Sequence, residues 1–178
     1  MNKPHKIIVL FCCISLLYAG CKKEDEVDKL PPATASGLGT FGCLINGRAW
    51  PIYEKGYHYA SAYYENKSLV LEYLVKPDEL SPYVDSRIGI GIKKIQTIGN
   101  YIIHFDDLNS GAVSVSTNGI RYSCADPINA GGFAWVNITR LDTSQFGYAS
   151  GTFGFTLLDD QGLTTVKIES GRFDVRLY

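Results

Sequence analysis

The chain has 178 residues, with 17 lysines and arginines against 18 acids and a formal charge of −1. So even a balance excludes nucleic-acid binding, which needs a basic face, while the length suits one domain with a real core. In residues 1–20, Lys3 and Lys6 precede an apolar run over 7–17, and Ala19-Gly20 close the stretch. A charged start, short apolar middle and small-residue exit read as a secretory signal peptide. The run is too short for a membrane-spanning helix, and no longer apolar run follows. Residues 21–38 read as a flexible tether, because KKEDEVDK is charged, Pro31-Pro32 break regular structure and ATASGLG is small.

Residues 39–178 read as a single β-domain. Residues 41–45 and 48–53 flank Asn46-Gly47, the preferred dipeptide of a tight hairpin whose central residues need positive φ. Strands are expected over 57–64, 69–75, 87–93 and 100–105, with Gly89 and Gly91 marking a close neighbour or a bend. Residues 112–116 and 120–124 flank a second hairpin signal, Thr117-Asn118-Gly119. Residues 133–141 alternate Ala134, Val136 and Ile138 against Trp135, Asn137 and Thr139, and 152–158 set Phe153, Phe155 and Leu157 on one face. Residues 163–169 and 172–178 are the last two strands, separated by a turn at Ser170-Gly171. One apolar and one polar face is the mark of antiparallel sheet. With about ten strands and no sustained helical period, the chain reads as an all-β antiparallel sandwich, a flattened lipocalin-like barrel being the alternative.

Gly20-Cys21 at the end of the signal resembles the lipobox of bacterial lipoproteins, although Tyr18 stands where that motif prefers leucine. The resemblance implies removal of residues 1–20 and lipidation of Cys21, with palmitate among the acyl groups. Lys23-Glu24-Asp25-Glu26 resembles the export signal of Bacteroidetes surface lipoproteins, which implies display on the outer face of the outer membrane; a periplasm-facing anchor is the alternative. TFGCLINGRAW (40–50), SGTFGFTLLDDQG (150–162) and ESGRFDVRL (169–177) are similar to a family of Bacteroidetes lipoproteins of unknown function, with an opening NG-x-x-W hairpin and a closing GxFxF…GxFDV hairpin. That resemblance implies a lipid-anchored β-domain and carries no functional residue.

Cys43 and Cys124 remain once the signal and anchor cysteines are set aside. In an exported domain two thiols are expected to pair, with a pair of buried free thiols as the alternative. No metal or other cofactor is expected, since the cysteines, His58 and His104 lack ligand spacing. Catalysis is not expected either. No G-x-S-x-G elbow is present, and Asp106-Asp107 and Asp159-Asp160, which would need to converge at roughly 5–9 Å to act on glycosides, sit in turns where aspartate is ordinary. The tyrosines stand out. Strand alternation puts Tyr57, Tyr59 and Tyr63 on one face, opposite Ala60 and Ala62, and Trp50 and Tyr53 on the neighbouring hairpin extend the row. Exposed aromatics mark binding surfaces. The expected role is therefore a surface-displayed binding or structural lipoprotein recognising a glycan or an envelope protein. A barrel carrying a small apolar ligand between the Phe153/Phe155 and Phe173/Val175 faces is the alternative, and a polymer hydrolase is a third reading.

Overall fold

A computed structural model describes residues 25–51, 57–76 and 86–178. The signal peptide, Cys21 and Tyr53 lie outside these residues. Among the described residues eleven strands form two antiparallel sheets: β1 (Thr40–Ile45), β2 (Arg48–Trp50), β3 (Tyr57–Glu65), β4 (Ser68–Lys76), β5 (Ser86–Ile92), β6 (Gly99–His104), β7 (Gly111–Thr117), β8 (Ile120–Ser123), β9 (Phe133–Leu141), β10 (Tyr148–Leu158) and β11 (Thr165–Arg176). One sheet has the order β2-β1-β11-β10-β9-β6 and the other β3-β4-β5-β7-β8. The sheets stack without closing, so the fold is the sandwich and not the barrel.

Alternation builds the core. Leu69, Leu71 and Tyr73 of β4, Ile88, Ile90 and Ile92 of β5, and Val113 and Val115 of β7 point inward from the five-stranded sheet. Ala134, Val136 and Ile138 of β9 and Phe153, Phe155 and Leu157 of β10 meet them from the other. Phe41 is the hinge of this packing: it stacks on Tyr73 at 4.7 Å across the sheets and lies 5.2 Å from Phe153 within its own. Phe153 also packs 6.4 Å from both Phe155 and Phe173, so the faces expected to line a ligand cavity fill the core with each other instead. The turns follow their sequence signals, with positive φ at Asn46-Gly47 and Asn118-Gly119, and also at Asn66-Lys67.

Two expectations need correction. Ser170-Gly171 is no turn; β11 runs through it as one strand of 12 residues. The side chains facing the core shift from even positions, Val166 and Ile168, to odd ones, Phe173 and Val175. Only an extra residue can shift that parity. Both neighbours show it, since Phe153 and Phe155 pair with Gly171 and Ile168, and Gly42 and Leu44 pair with Arg172 and Glu169. Ser170 takes φ 51° there, and Gly171 leaves room for the Phe153 ring, which an added Cβ would approach to 2.6 Å.

The second correction concerns the tether. From a short 3-10 helix (Glu26–Lys29) onward, the chain is fastened down. Glu26 accepts the Ala49 N–H at 2.8 Å, Leu30 is buried, and Pro31 covers Gly42, where an added Cβ would meet its ring at 2.7 Å. Thr34, Ser36, Gly37 and Leu38 then all donate to the carboxylate of Asp174. Phe173 and Val175 point into the core, so Asp174 points outward. Residues 30–38 are thus a strap across the outer face of β1 and β11, and not free linker.

Candidate functional site

β3 positions the expected aromatic row. Ala62 is buried, so the two-residue period of a strand turns Tyr59, Ser61 and Tyr63 to the outside. Tyr59 is 58% and Tyr63 49% exposed. Tyr57 belongs to the same strand, but its side chain lies outside the described residues. Trp50 does not extend the row. It pairs with the inward-facing Cys43 and packs edge-on against Phe41 at 6.4 Å and Tyr73 at 5.4 Å, closing one end of the core.

Cross-strand register shows what lies beside the tyrosines. From Tyr63 the row runs to Val70, Gly91 and Ala112; from Ser61 to Glu72, Gly89 and Ser114; and from Tyr59 to Leu74, Arg87, Ser116 and Arg121. On β5 and β7 the outer face is therefore mostly a floor of glycine, alanine and serine, and Val70, Glu72 and Leu74 of β4 lie between it and the tyrosines at the β3 edge. At Gly89 an added Cβ would press on Ser114 Oγ at 3.0 Å, but at Gly91 it would meet only the Ala112 backbone, at 3.8 Å. Packing within the sheet does not require Gly91. Two shallow hollows open on this floor. One, of about 280 Å³, lies beside Val70, Gly91, Leu108 and Ala112. The other, of about 380 Å³, lies between Arg87, Ser114, Ser116 and Arg121. Glu72 pairs with Arg87, Arg121 borders the second hollow at the far rim, and Lys93 borders the first.

The remaining titratable groups have structural surroundings. His58 is half-buried with its ring 6.2 Å from that of Tyr73, and burial pushes its imidazole below the usual range. His104 is exposed on β6. Asp107 accepts the Asn109 N–H, as its turn demands. Asp159 is buried, which works to raise its pKa, yet the Thr164 hydroxyl and the Leu163 and Thr164 N–H groups hold it below the usual carboxylate range. Among the described residues no group of three His, Cys, Asp or Glu side chains is placed to hold a metal ion.

Cys43 and Cys124 are free and buried, contrary to the expected disulfide. Cys43 is on β1, whose Phe41 stacks on Tyr73 of β4. Cys124 follows β8, three strands away from β4, roughly 14 Å at ordinary strand spacing, whereas a disulfide holds its Cα atoms within about 7 Å. Cys124 Sγ instead accepts the Val113 N–H at 3.2 Å.

Two aromatic features were not singled out from the sequence. Trp135, on the outer face of β9, lies over Gly154, where an added Cβ would meet the indole at 2.8 Å; Phe133 and Ile102 are exposed beside it. Phe146, in the β9–β10 loop, is 76% exposed with φ +63°. The alternation that puts Trp135 outside was legible, but its partner Gly154 comes from register with a strand of its own. No protein-family model, curated protein or solved structure matches the chain.

Proposed function

We propose that this protein is a lipid-anchored display module that acts by binding and not by catalysis. Cys21 carries the lipid, the outer face of the outer membrane is its address, and an extended glycan chain of the envelope or its surroundings is its ligand. One observation carries the binding reading: Tyr59 and Tyr63 stand exposed beside a floor whose Gly91 has no packing reason to be glycine. Aromatic rings offer flat apolar area at low entropic cost, and a floor of small side chains broken by glycine admits a polymer close to the backbone.

The strap supports the orientation. It crosses the outer face of the six-stranded sheet and runs back to Glu26 at the edge strand β2, so the described chain leads toward its N-terminal side from that sheet. The tyrosine face belongs to the other sheet and looks the opposite way.

The test compares the full-length chain with its Tyr59→Ala/Tyr63→Ala variant on an array of envelope and host glycans. The double variant is expected to keep its melting temperature and lose at least tenfold in affinity. An array and an envelope cross-linking screen that both return nothing defeat the reading. Capture of an envelope protein through the same tyrosines replaces the glycan by a protein ligand. Loss of palmitate labelling in Cys21→Ser tests the anchor separately.

A further inference from the structure

The loop joining β9 to β10 displays an aromatic ring in a way that folding does not account for. Ser144 to Gly147 form a tight turn closed by the Gly147 N–H donating to Ser144 O at 2.8 Å. Phe146 is the third residue of that turn, with φ +63°. That position calls for glycine or asparagine, because a Cβ crowds the left-handed backbone. Phenylalanine is among the residues least suited to it, and its ring is largely in water. The conformation therefore costs backbone energy and regains little by burial. Such a strained residue persists only where its surroundings hold it, and such residues cluster at ligand sites.

The surroundings do hold it. Asp142 Oδ1 accepts both the N–H and the hydroxyl of Ser144 at 3.0 and 2.7 Å. Gly147 fits against Asp142 so closely that an added Cβ would lie 1.9 Å from its carbonyl oxygen. Gly147 O in turn accepts the Leu177 N–H at 2.8 Å, and the Tyr178 N–H donates to Ala62 O at 3.0 Å. The loop, the end of β11 and β3 are thus tied into one rigid corner.

Phe146 borders a pocket of about 330 Å³ in that corner, lined also by Tyr64, Tyr178, Thr143, Ser144 and Gln145. Its size lies at the lower end of small-molecule sites, about 300–1,000 Å³. Three aromatic rings supply flat apolar faces. Four hydroxyls and one amide supply neutral donors and acceptors, with the Ser144 hydroxyl already donating to Asp142 and that of Tyr64 to Ile95 O. None of the lining side chains carries a charge. An anion finds no counter-charge among them, and the one carboxylate behind the wall, that of Asp142, is already engaged by the Ser144 N–H and hydroxyl, whereas a sugar ring, with apolar C–H faces and a rim of hydroxyls, finds both of its surfaces matched. We infer that this corner is a binding site for a single neutral sugar residue, separate from the tyrosine face of β3, with Phe146 as its stacking platform. Tyr63 and Tyr64 are successive residues of β3 that point to opposite faces, so the two sites share a strand and not a surface. This inference does not rest on the glycan reading of the tyrosine face.

The experiment titrates the full-length chain with neutral trisaccharides ending in glucose, mannose, galactose or N-acetylglucosamine, followed by intrinsic fluorescence and calorimetry. The variants are Phe146→Gly, Gln145→Ala and Tyr59→Ala/Tyr63→Ala. At least one trisaccharide is expected to bind. Phe146→Gly is expected to weaken it tenfold or more while melting at the same or a higher temperature, because glycine relieves the turn. Gln145→Ala is expected to weaken it severalfold, and the tyrosine double variant to change it less than twofold. Four results overturn the inference: no trisaccharide binds at millimolar concentration, binding survives Phe146→Gly, Phe146→Gly melts lower, or binding disappears only in the tyrosine double variant. The last of these leaves the tyrosine face as the glycan site.

Discussion

Ser150 donates its hydroxyl hydrogen to Asp174 Oδ1 at 2.6 Å, at a point where Ser150 is 0% and Asp174 1% exposed. The contact joins β10 to β11 on the outer face of their sheet, where a carboxylate is ordinarily in water. The strap explains its burial, because the Thr34 hydroxyl and the N–H groups of Ser36, Gly37 and Leu38 converge on the same two oxygens. A strap with little apolar surface is thereby held through one buried charge.

Replacement of Asp174 by Ala strands those donors. Hydrogen bonds to a charged group contribute roughly 1.5–3 kcal/mol each, and a buried donor left unpaired costs more than one never placed there. The strap itself has the option of lifting into water, which limits the loss to about 2–4 kcal/mol. The melting temperature is expected to fall by roughly 5–15 °C. Limited proteolysis should then cut between residues 30 and 38 before it cuts the sandwich. A variant that melts like the wild type shows that the strap is not fastened by this group.

Acid should undo the same latch. Burial alone would raise the Asp174 pKa, but the hydroxyls of Ser150 and Thr34 and the N–H groups of Ser36 and Gly37 outweigh it and hold the group at about 2, against an ordinary 3.8. A carboxylate whose folded pKa is depressed contributes stability that is complete above its unfolded pKa and lost as pH falls through its folded one. The window is therefore pH 4 down to 2, and the contribution is on the order of 2 kcal/mol. Urea melts at pH 6, 4 and 2.5 check this, since Asp174→Asn should show a shallower acid loss than the wild type.

The sandwich was legible because its evidence is local. Alternation over 133–141 set Val136 and Ile138 inward, and Asn46-Gly47 named its turn. What failed was everything decided by distant chain. The strap looked like linker because its partner, Asp174, is well over a hundred residues away and reads as one polar position in an alternating strand. The parity shift at Ser170 looked like a turn because Ser-Gly signals either, and only the pairing of both neighbours distinguishes them. Trp50 looked exposed because the hairpin was read without the Cys43 pairing that turns it inward. At the candidate site the tyrosine alternation was legible from β3 alone, whereas the glycine floor beside it needed the register of four strands.

Gly171 gives that bulge a direct test. Its backbone lies outside the left-handed region, so alanine suits its φ, yet an added Cβ would sit 2.6 Å from both the ring and the carbonyl oxygen of Phe153. Overpacking of this kind costs about 1–3 kcal/mol. Gly171→Ala should lower the urea midpoint accordingly, and unchanged stability shows that the Phe153 ring and the β10 backbone beside it both give way freely.

The cysteines predict indifference to redox conditions. Burial pushes both thiols up from their usual range, at Cys124 against the opposing effect of the Val113 N–H. Thiolate, the reactive form, is therefore scarce, and access is closed. Iodoacetamide should leave the Cys43 and Cys124 peptides unmodified in the native protein and alkylate both after unfolding in guanidinium. A reducing agent should not shift the melting temperature. A drop of several degrees on reduction, or peptides that stay unmodified after unfolding, reveals a bond between them.

Gly91 separates a binding floor from mere sheet. Its added Cβ would meet only ordinary contact, at 3.8 Å from the Ala112 backbone, and glycine is a poor strand former beside β-branched residues. Gly91→Thr should therefore stabilise β5, by up to about 1 kcal/mol on the host-protein scale. The same side chain would stand between Val70 and Ala112, where a ligand engaging Tyr63 must lie. Stability and binding are thus expected to move in opposite directions: a higher urea midpoint together with at least tenfold weaker glycan binding. A variant that is more stable and binds as before removes the floor from the site and leaves the tyrosines to act alone. One that is less stable shows that Gly91 has a packing role after all, and the case for a glycine kept open for a ligand goes with it.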